Sequence, residues 1–149
     1  MDTAVKRRGF EKCSGYSDAF IPCRSTAYSC GYDFKVREDV TIEPGQIVKI
    51  ETGIKAYMEC NECLIIHIRS SLGFKGVQQV NTTGIIDADY YNNETNEGNI
   101  IVGLKNTSGN VINIKRGEKV VQGIFMKYLA KDGDDADGVR TGGLGSTGK

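Results

Sequence analysis

Residues 48–58, "VKIETGIKAYM", alternate strictly along the chain. Val48, Ile50, Thr52, Ile54, Ala56 and Met58 fall on one face, and Lys49, Glu51, Gly53, Lys55 and Tyr57 on the other. A strand turns successive side chains to opposite faces, so this run reads as one half-buried strand and excludes a helix. "EPGQ" precedes it, and Pro44 followed by Gly45 suits a type II turn. "LIIHIRS", "NIIVGLKN", "NVINI" and "KVVQGIF" are further β-branched runs, separated by polar punctuation such as "NTSGN" and "KRGE". Only "SSLGFKGVQQ" has room for a helical turn or two. Strands without alternating long helices exclude a parallel α/β fold, and an all-β sandwich, jelly roll or barrel is expected.

The 149 residues suit one domain with a real core. From about Ala130 the character changes. "AKDGDDADGVRTGGLGSTGK" is rich in Gly and Asp and poor in large apolar side chains, so it cannot offset the entropy of being ordered. The division expected is a β-domain over residues 1–130 and a flexible arm over residues 131–149. Acidic and basic residues balance at 19 each, so no global field favours nucleic acid or a membrane surface. No apolar run approaches a signal segment or a membrane span, which points to a cytoplasmic protein.

Five cysteines, an odd number, argue against a disulfide framework. Cys60 and Cys63 form C-x-x-C, but a zinc site needs two more ligands and the only histidine is His67. The pair reads as two small residues flanking an Asn-Glu turn. His67, in an apolar strand, reads as a packed side chain.

The arm also fits G-x-x-x-x-G-K through Gly143, Gly148 and Lys149. A P-loop places phosphate at the start of a helix, and this segment has no helical pattern. Its glycines must serve in another way.

Five stretches carry more special residues than a bare β-scaffold needs: "AYSCGYDF", "RSSLG", "NTTGIIDADY", "RGEKVVQ" and "RTGGLGSTG". In this order they resemble the five motifs of the homotrimeric dUTP diphosphatases (dUTPases), closest to the forms of Gram-positive bacteria and their phages. The resemblance implies a distorted jelly-roll, β-clip-like subunit, three of which share three active sites. It implies hydrolysis of dUTP to dUMP and diphosphate, which limits dUTP and supplies dUMP for thymidylate synthesis.

The resemblance also assigns roles. Asp87 matches the carboxylate that activates water. Arg69, Ser70, Ser71 and Gln122 match phosphate-binding residues. Asn81, Gly84, Ile85 and Ile86 belong to a hairpin that meets the uracil edge, with Tyr90 beneath the deoxyribose. Arg140, Leu144, Gly145, Ser146 and Thr147 belong to an arm that crosses to another subunit and closes over nucleotide. Mg²⁺ would be held mainly by the phosphates, with Asp33 orienting its waters. Four departures stand out: Leu144 in place of a stacking phenylalanine, Tyr91 in place of an arginine with a longer "NNETNE" loop after it, Cys30 in place of alanine, and Lys119 in place of arginine.

Two other readings compete. A dCTP deaminase has a similar fold and an R-S-S loop, but needs neither "GIIDADY" nor the glycine arm. A nucleotide-sensing or protein-binding module would keep the pocket without turnover, and the sequence leaves a regulatory protein partner open.

Overall fold

The computed structural model describes residues 4–145 and 147–148. Among the described residues, eleven strands, one short α-helix and one 3-10 turn follow in order: β1 (Gly9–Lys12), β2 (Tyr32–Lys35), β3 (Val40–Ile42), β4 (Ile47–Glu51), β5 (Ile54–Tyr57), β6 (Glu62–Ile68), α1 (Ser70–Gly73), β7 (Val77–Gln79), β8 (Gly84–Asp87), the 3-10 turn (Ala88–Tyr90), β9 (Ile101–Asn106), β10 (Ile112–Ile114) and β11 (Lys119–Lys127). The strands are antiparallel. They form a four-stranded sheet β2-β11-β6-β8, a three-stranded sheet β4-β9-β7, and the ribbons β1-β5 and β10-β3. One apolar cluster joins Phe34, Leu64, Ile66 and Val121 of the larger sheet to Ile50, Val77, Val102 and Leu104 of the smaller. The expected all-β jelly-roll architecture is what the chain adopts. No described helix is long and apolar enough to cross a membrane.

The run over residues 48–58 is not one strand. It breaks at Thr52-Gly53 into β4 and β5, which belong to different sheets. Thr52 Oγ1 donates to the Ile100 carbonyl at 2.7 Å, and Gly53 takes a φ of +69°. A Cβ on Gly53 would lie 2.7 Å from the Tyr16 ring, so the corner needs glycine twice over, for its backbone angle and for space. The corner preserves the parity of the faces, which is why the alternation hides it. The Pro44-Gly45 turn is as read, with the Gln46 N–H donating to the Glu43 carbonyl at 3.0 Å and Gly45 at φ +79°.

Two irregularities position functional side chains. In β11 the register with β2 shifts between Lys119 and Val121, so that Val120 and Val121 are both buried. This bulge returns Gln122 to a place opposite Asp33. The second is the link from β7 to β8. The expected hairpin around residues 81–90 is absent: β7 pairs with β9, and β8 pairs with β6. The segment between them is a corner joining the two sheets, tightened by Thr82 at φ +55°. After β11 the described residues form no further strand or helix.

Candidate active site

The structure gathers the sequence-marked residues into two hollows rather than one. The first is a polar cradle lined by Ser25, Ser29, Gly31, Asp33, Arg69, Ser70, Ser71 and Gln122. Asp33, in the middle of β2, is its organising charge. Its buried carboxylate accepts from Ser25 Oγ at 2.6 Å and pairs with Arg69 Nε at 3.1 Å and Lys119 Nζ at 3.2 Å. Burial alone would raise this carboxyl, but the Ser25 hydroxyl, Lys119 and Arg69 outweigh it and hold it below the usual range.

Local structure fixes the rest of the cradle. Arg69 leaves the end of β6 with its N–H bonded to the Val120 carbonyl at 3.2 Å. Ser70 and Ser71 then open α1, which Leu72 pins to the core. Gln122 packs across Gly31, where a Cβ would come within 2.4 Å of its Oε1. Two cationic groups, serine hydroxyls and an amide around one opening suit a polyanion such as a phosphate chain.

The second hollow lies at the β7–β8 corner. Asn81, Gly84, Ile85, Ile86, Asp87 and Tyr90 line it together with Gln79, Ile66 and Val102, and Arg140, Gly143 and Leu144 border it from the arm. Tyr90 is buried, its hydroxyl donating to the Asn99 carbonyl at 2.6 Å and accepting from Asn96 Nδ2 at 2.8 Å. Burial, first of all, pushes its phenol pKa up. The Asn92–Glu97 loop that follows is ordered around buried Asn93, whose Nδ2 donates to the Tyr90 carbonyl at 2.7 Å and to Asn96 Oδ1 at 2.8 Å. Tyr91, in the place of the expected arginine, donates to Glu11 and lies 5.2 Å from the Lys55 ammonium.

The described part of the arm lies against the corner hollow of its own chain. Arg140 pairs with Asp87 Oδ2 at 2.6 Å and Asp89 Oδ1 at 2.7 Å. Thr95 donates to the Thr141 carbonyl. Gly142 is buried against Thr95, and a Cβ on Gly143 would sit 2.6 Å from the Tyr90 ring. Leu144 borders the hollow but is 78% exposed, so it covers little of it. Gly145 and Thr147 are exposed and line neither hollow. Ser146 lies outside the described residues. His67 is half-buried opposite Gln122. All five cysteines are free, Cys63 buried and Cys60 exposed.

The two hollows are well separated within one chain. Asp87 stands opposite Cys63 on β6, and Arg69 follows six residues later, which at ~3.3 Å per residue is roughly 20 Å. Several contributors carry no signal of their own in the sequence. Ser25, Ser29, Asp89 and Thr95 look like ordinary loop residues. Gln79 had one available signal, since period-2 alternation from buried Val77 points it inward.

Comparison with known proteins follows the same lines. The family model described as dUTPase matches residues 17–148. The chain is 46% identical over 149 residues to the deoxyuridine 5'-triphosphate nucleotidohydrolase of Lactococcus lactis, covering 97% of this chain and 99% of that protein. It is 34% identical to the protein of the same name from Nautilia profundicola, covering 89% of this chain and 93% of that one. Among solved structures, the dUTPase of Streptococcus mutans superposes with a TM-score of 0.79 at 45% identity, covering 84% of this chain and 99% of that one.

Proposed function

The chain belongs to the dUTPase family, and from that premise we propose how its two hollows divide the work. The reaction is hydrolysis of dUTP to dUMP and diphosphate. Water must attack the α-phosphorus in line while diphosphate leaves, so the site needs a base, a charge clamp and fixed geometry.

The corner hollow takes the deoxyuridine. Its floor is apolar, Tyr90 lies under the sugar, and Asn81 with the backbone of Gly84, Ile85 and Ile86 meets the base edge. Asp87 stands at the rim, half exposed, and takes the proton from the attacking water. Arg140 Nη2 lies 2.6 Å from Asp87 Oδ2 and so occupies the carboxylate oxygen that an attacking water would have to reach. Arg140 therefore releases Asp87 when a triphosphate offers it a better anion. The arm then closes on the phosphates, with Leu144, Gly145, Ser146 and Thr147 around them. Backbone N–H groups of a glycine-rich segment can wrap phosphate oxygens without a helix.

The cradle takes the phosphate chain. Arg69, Ser70, Ser71 and Gln122 contact it, with Lys119 alongside, and Ser70 donates to the oxygen between the α- and β-phosphates, where charge develops. The separation of roughly 20 Å along β6 carries the next step. A triphosphate spans much less than that, which favours a nucleotide held between the Asp87 of one copy and the Arg69 of another. Chains of this family associate with copies of themselves. The arrangement that reconciles the two hollows is a homotrimer in which the cradle of one copy faces the corner of the next.

Members of this family use Mg²⁺ in general. Among the described residues no group of three His, Cys, Asp or Glu side chains could hold a metal. The Asp33 oxygens already bind Ser25, Lys119 and Arg69. These residues do not fit a resident ion, and Asp33 serves instead as the anchor of Arg69 and Lys119. A Mg²⁺ brought with the nucleotide would be held by its phosphate oxygens and water rather than by these side chains, which suits a cation that dehydrates reluctantly.

The observation that carries this reading is the corner hollow with Asp87 at its rim. It is tested by diphosphate release from dUTP, dCTP, dTTP and UTP. Release from dUTP alone is the expected result. Binding of dUTP without release would leave only a nucleotide sensor, and ammonia release from dCTP would indicate a deaminase.

A further inference from the structure

One inner polar side chain of the corner hollow has no role in the division above. Gln79, the last residue of β7, is buried at 5% exposure. Its amide has one consistent orientation. Nε2 donates to the Ile66 carbonyl at 3.1 Å, and that oxygen can only accept, so the nitrogen must face it. The second Nε2 hydrogen goes to Asn81 Oδ1, also at 3.1 Å. Asn81 is thereby fixed in turn. Its Oδ1 is engaged, and its Nδ2 is the group left to meet a ligand, with no partner among the described residues. Gly84 leaves room for this arrangement, since a Cβ there would come within 3.2 Å of Gln79 Nε2.

The arrangement has a cost. Gln79 Oε1 is buried and has no hydrogen-bond partner among the described residues. A buried acceptor without a donor is unfavourable, and an apolar side chain of similar length would avoid it. What Gln79 offers in return is its pair of directed donors. A buried carbonyl thus sets Gln79, Gln79 sets Asn81, and Asn81 presents a donor to the hollow.

We propose that Gln79 is a positioning residue that fixes the direction of the Asn81 amide and, through it, the preference for uracil over cytosine. The inference rests on the corner hollow being the base pocket. Uracil carries an acceptor oxygen at C4, which an Asn81 donor satisfies. Cytosine carries an amino group there, so donor would meet donor and a buried group would be left unpaired. An Asn81 free to turn over would offer Oδ1 to that amino group, and the discrimination would fall.

The test uses the full-length protein and three variants: Gln79→Met, Gln79→Glu and Asn81→Ala. Gln79→Met removes both donors at similar length. Gln79→Glu keeps the length but sets an acceptor against the Ile66 carbonyl and Asn81 Oδ1, which should turn the Asn81 amide so that Nδ2 faces inward and Oδ1 faces the ligand. For each, kcat and KM are measured for dUTP and dCTP on one sample, so that the ratio of the two kcat/KM values does not depend on how much protein is folded. The expected result is a fall in the dUTP-to-dCTP ratio of about tenfold or more in Gln79→Met, mainly through the KM for dUTP. Gln79→Glu should lower it further by raising kcat/KM for dCTP. An unchanged ratio in both Gln79 variants, with the ratio lost in Asn81→Ala, would overturn the proposal and leave the base pocket standing. No change of ratio or KM in Asn81→Ala would overturn the base-pocket reading itself, and this inference with it.

Discussion

The cradle and the corner hollow hold their charges in opposite ways. In the cradle, Asp33 is buried in a four-stranded sheet and paired with two cations, Lys119 on β11 and Arg69 between β6 and α1, with a hydroxyl from the Ser25 loop beside them. At the corner, the Asp87 and Asp89 side chains are 52% and 60% exposed, and their partner Arg140 arrives on a segment with no secondary structure of its own. One charge set is built into the sheet. The other is completed by an arm without strand or helix, which we propose opens. Groups that stabilise developing charge gain from being fixed beforehand. A base that must admit water and nucleotide needs a cover that opens.

Substitutions can break this comparison from either side. Asp87→Asn removes the proton acceptor while keeping the shape, and diphosphate release should fall by about 10²–10⁴-fold with dUTP binding retained. A single-turnover assay beside a binding titration checks it, and equal losses of rate and binding would deny Asp87 its role. Asp33→Asn should strike the cradle as a structure. It leaves Arg69 and Lys119 without their anion, and breaking a buried pair costs about 3 kcal/mol or more. Both cations are about a third exposed, so the lower end is expected, read as a fall in Tm. Asp87→Asn should leave Tm nearly unchanged, which sharpens the contrast.

Gly143→Ala tests the removable part. A Cβ 2.6 Å from the Tyr90 ring should stop the arm from seating. The expected effect is a loss in kcat/KM of up to about 100-fold, with the unfolding free energy within ~0.5 kcal/mol of the parent's. Proteolysis of the arm in the presence of a non-hydrolysable dUTP analogue checks it. Protection as good as in the parent would mean that closure does not use this contact.

Smaller effects follow from screening and pH. Exposed ion pairs contribute about 0.2–1 kcal/mol each and weaken with salt. Raising ionic strength should speed hydrogen exchange over residues 138–145 and leave Arg69 to Gly73 unchanged. Glu97, which ties the loop beside the arm to Lys55 and Ser14, has its carboxyl lowered from 4.5 to about 2, first by Lys55 and then by Ser14. A depressed carboxyl stabilises the fold fully above its unfolded value and loses that contribution as pH falls through the folded one. The parent should therefore lose this stabilisation between pH 4.5 and about 2, and Glu97→Gln should show less change over that window.

Much of the fold was legible because alternation is a local signal. β6, β9 and β11 lie where β-branched runs placed them, and the turn at Pro44-Gly45 has the geometry its residues demand. The corner at Gly53 was hidden because side-chain parity continues through it. The missing β7–β8 hairpin was hidden for a different reason. Two strands close in sequence paired with distant partners, and no local pattern records that choice. The candidate site residues were marked one by one, from Asp87 to Arg140. Their division into two hollows was not, since it depends on Asp87 standing opposite Cys63 and Gln122 opposite Asp33.

The most direct test of the divided site is complementation between two inactive variants. Asp87→Asn and Arg69→Ala are each expected to be inactive alone. Co-expressed in equal amounts, they should assemble mixed oligomers. If each site takes its cradle from one copy and its base from another, the chance of an intact site is one half times one half, or about a quarter of the parent activity. Recovery near that level is the result this account predicts. No recovery, with mixed oligomers shown to form, would mean that each chain must supply both residues to its own site.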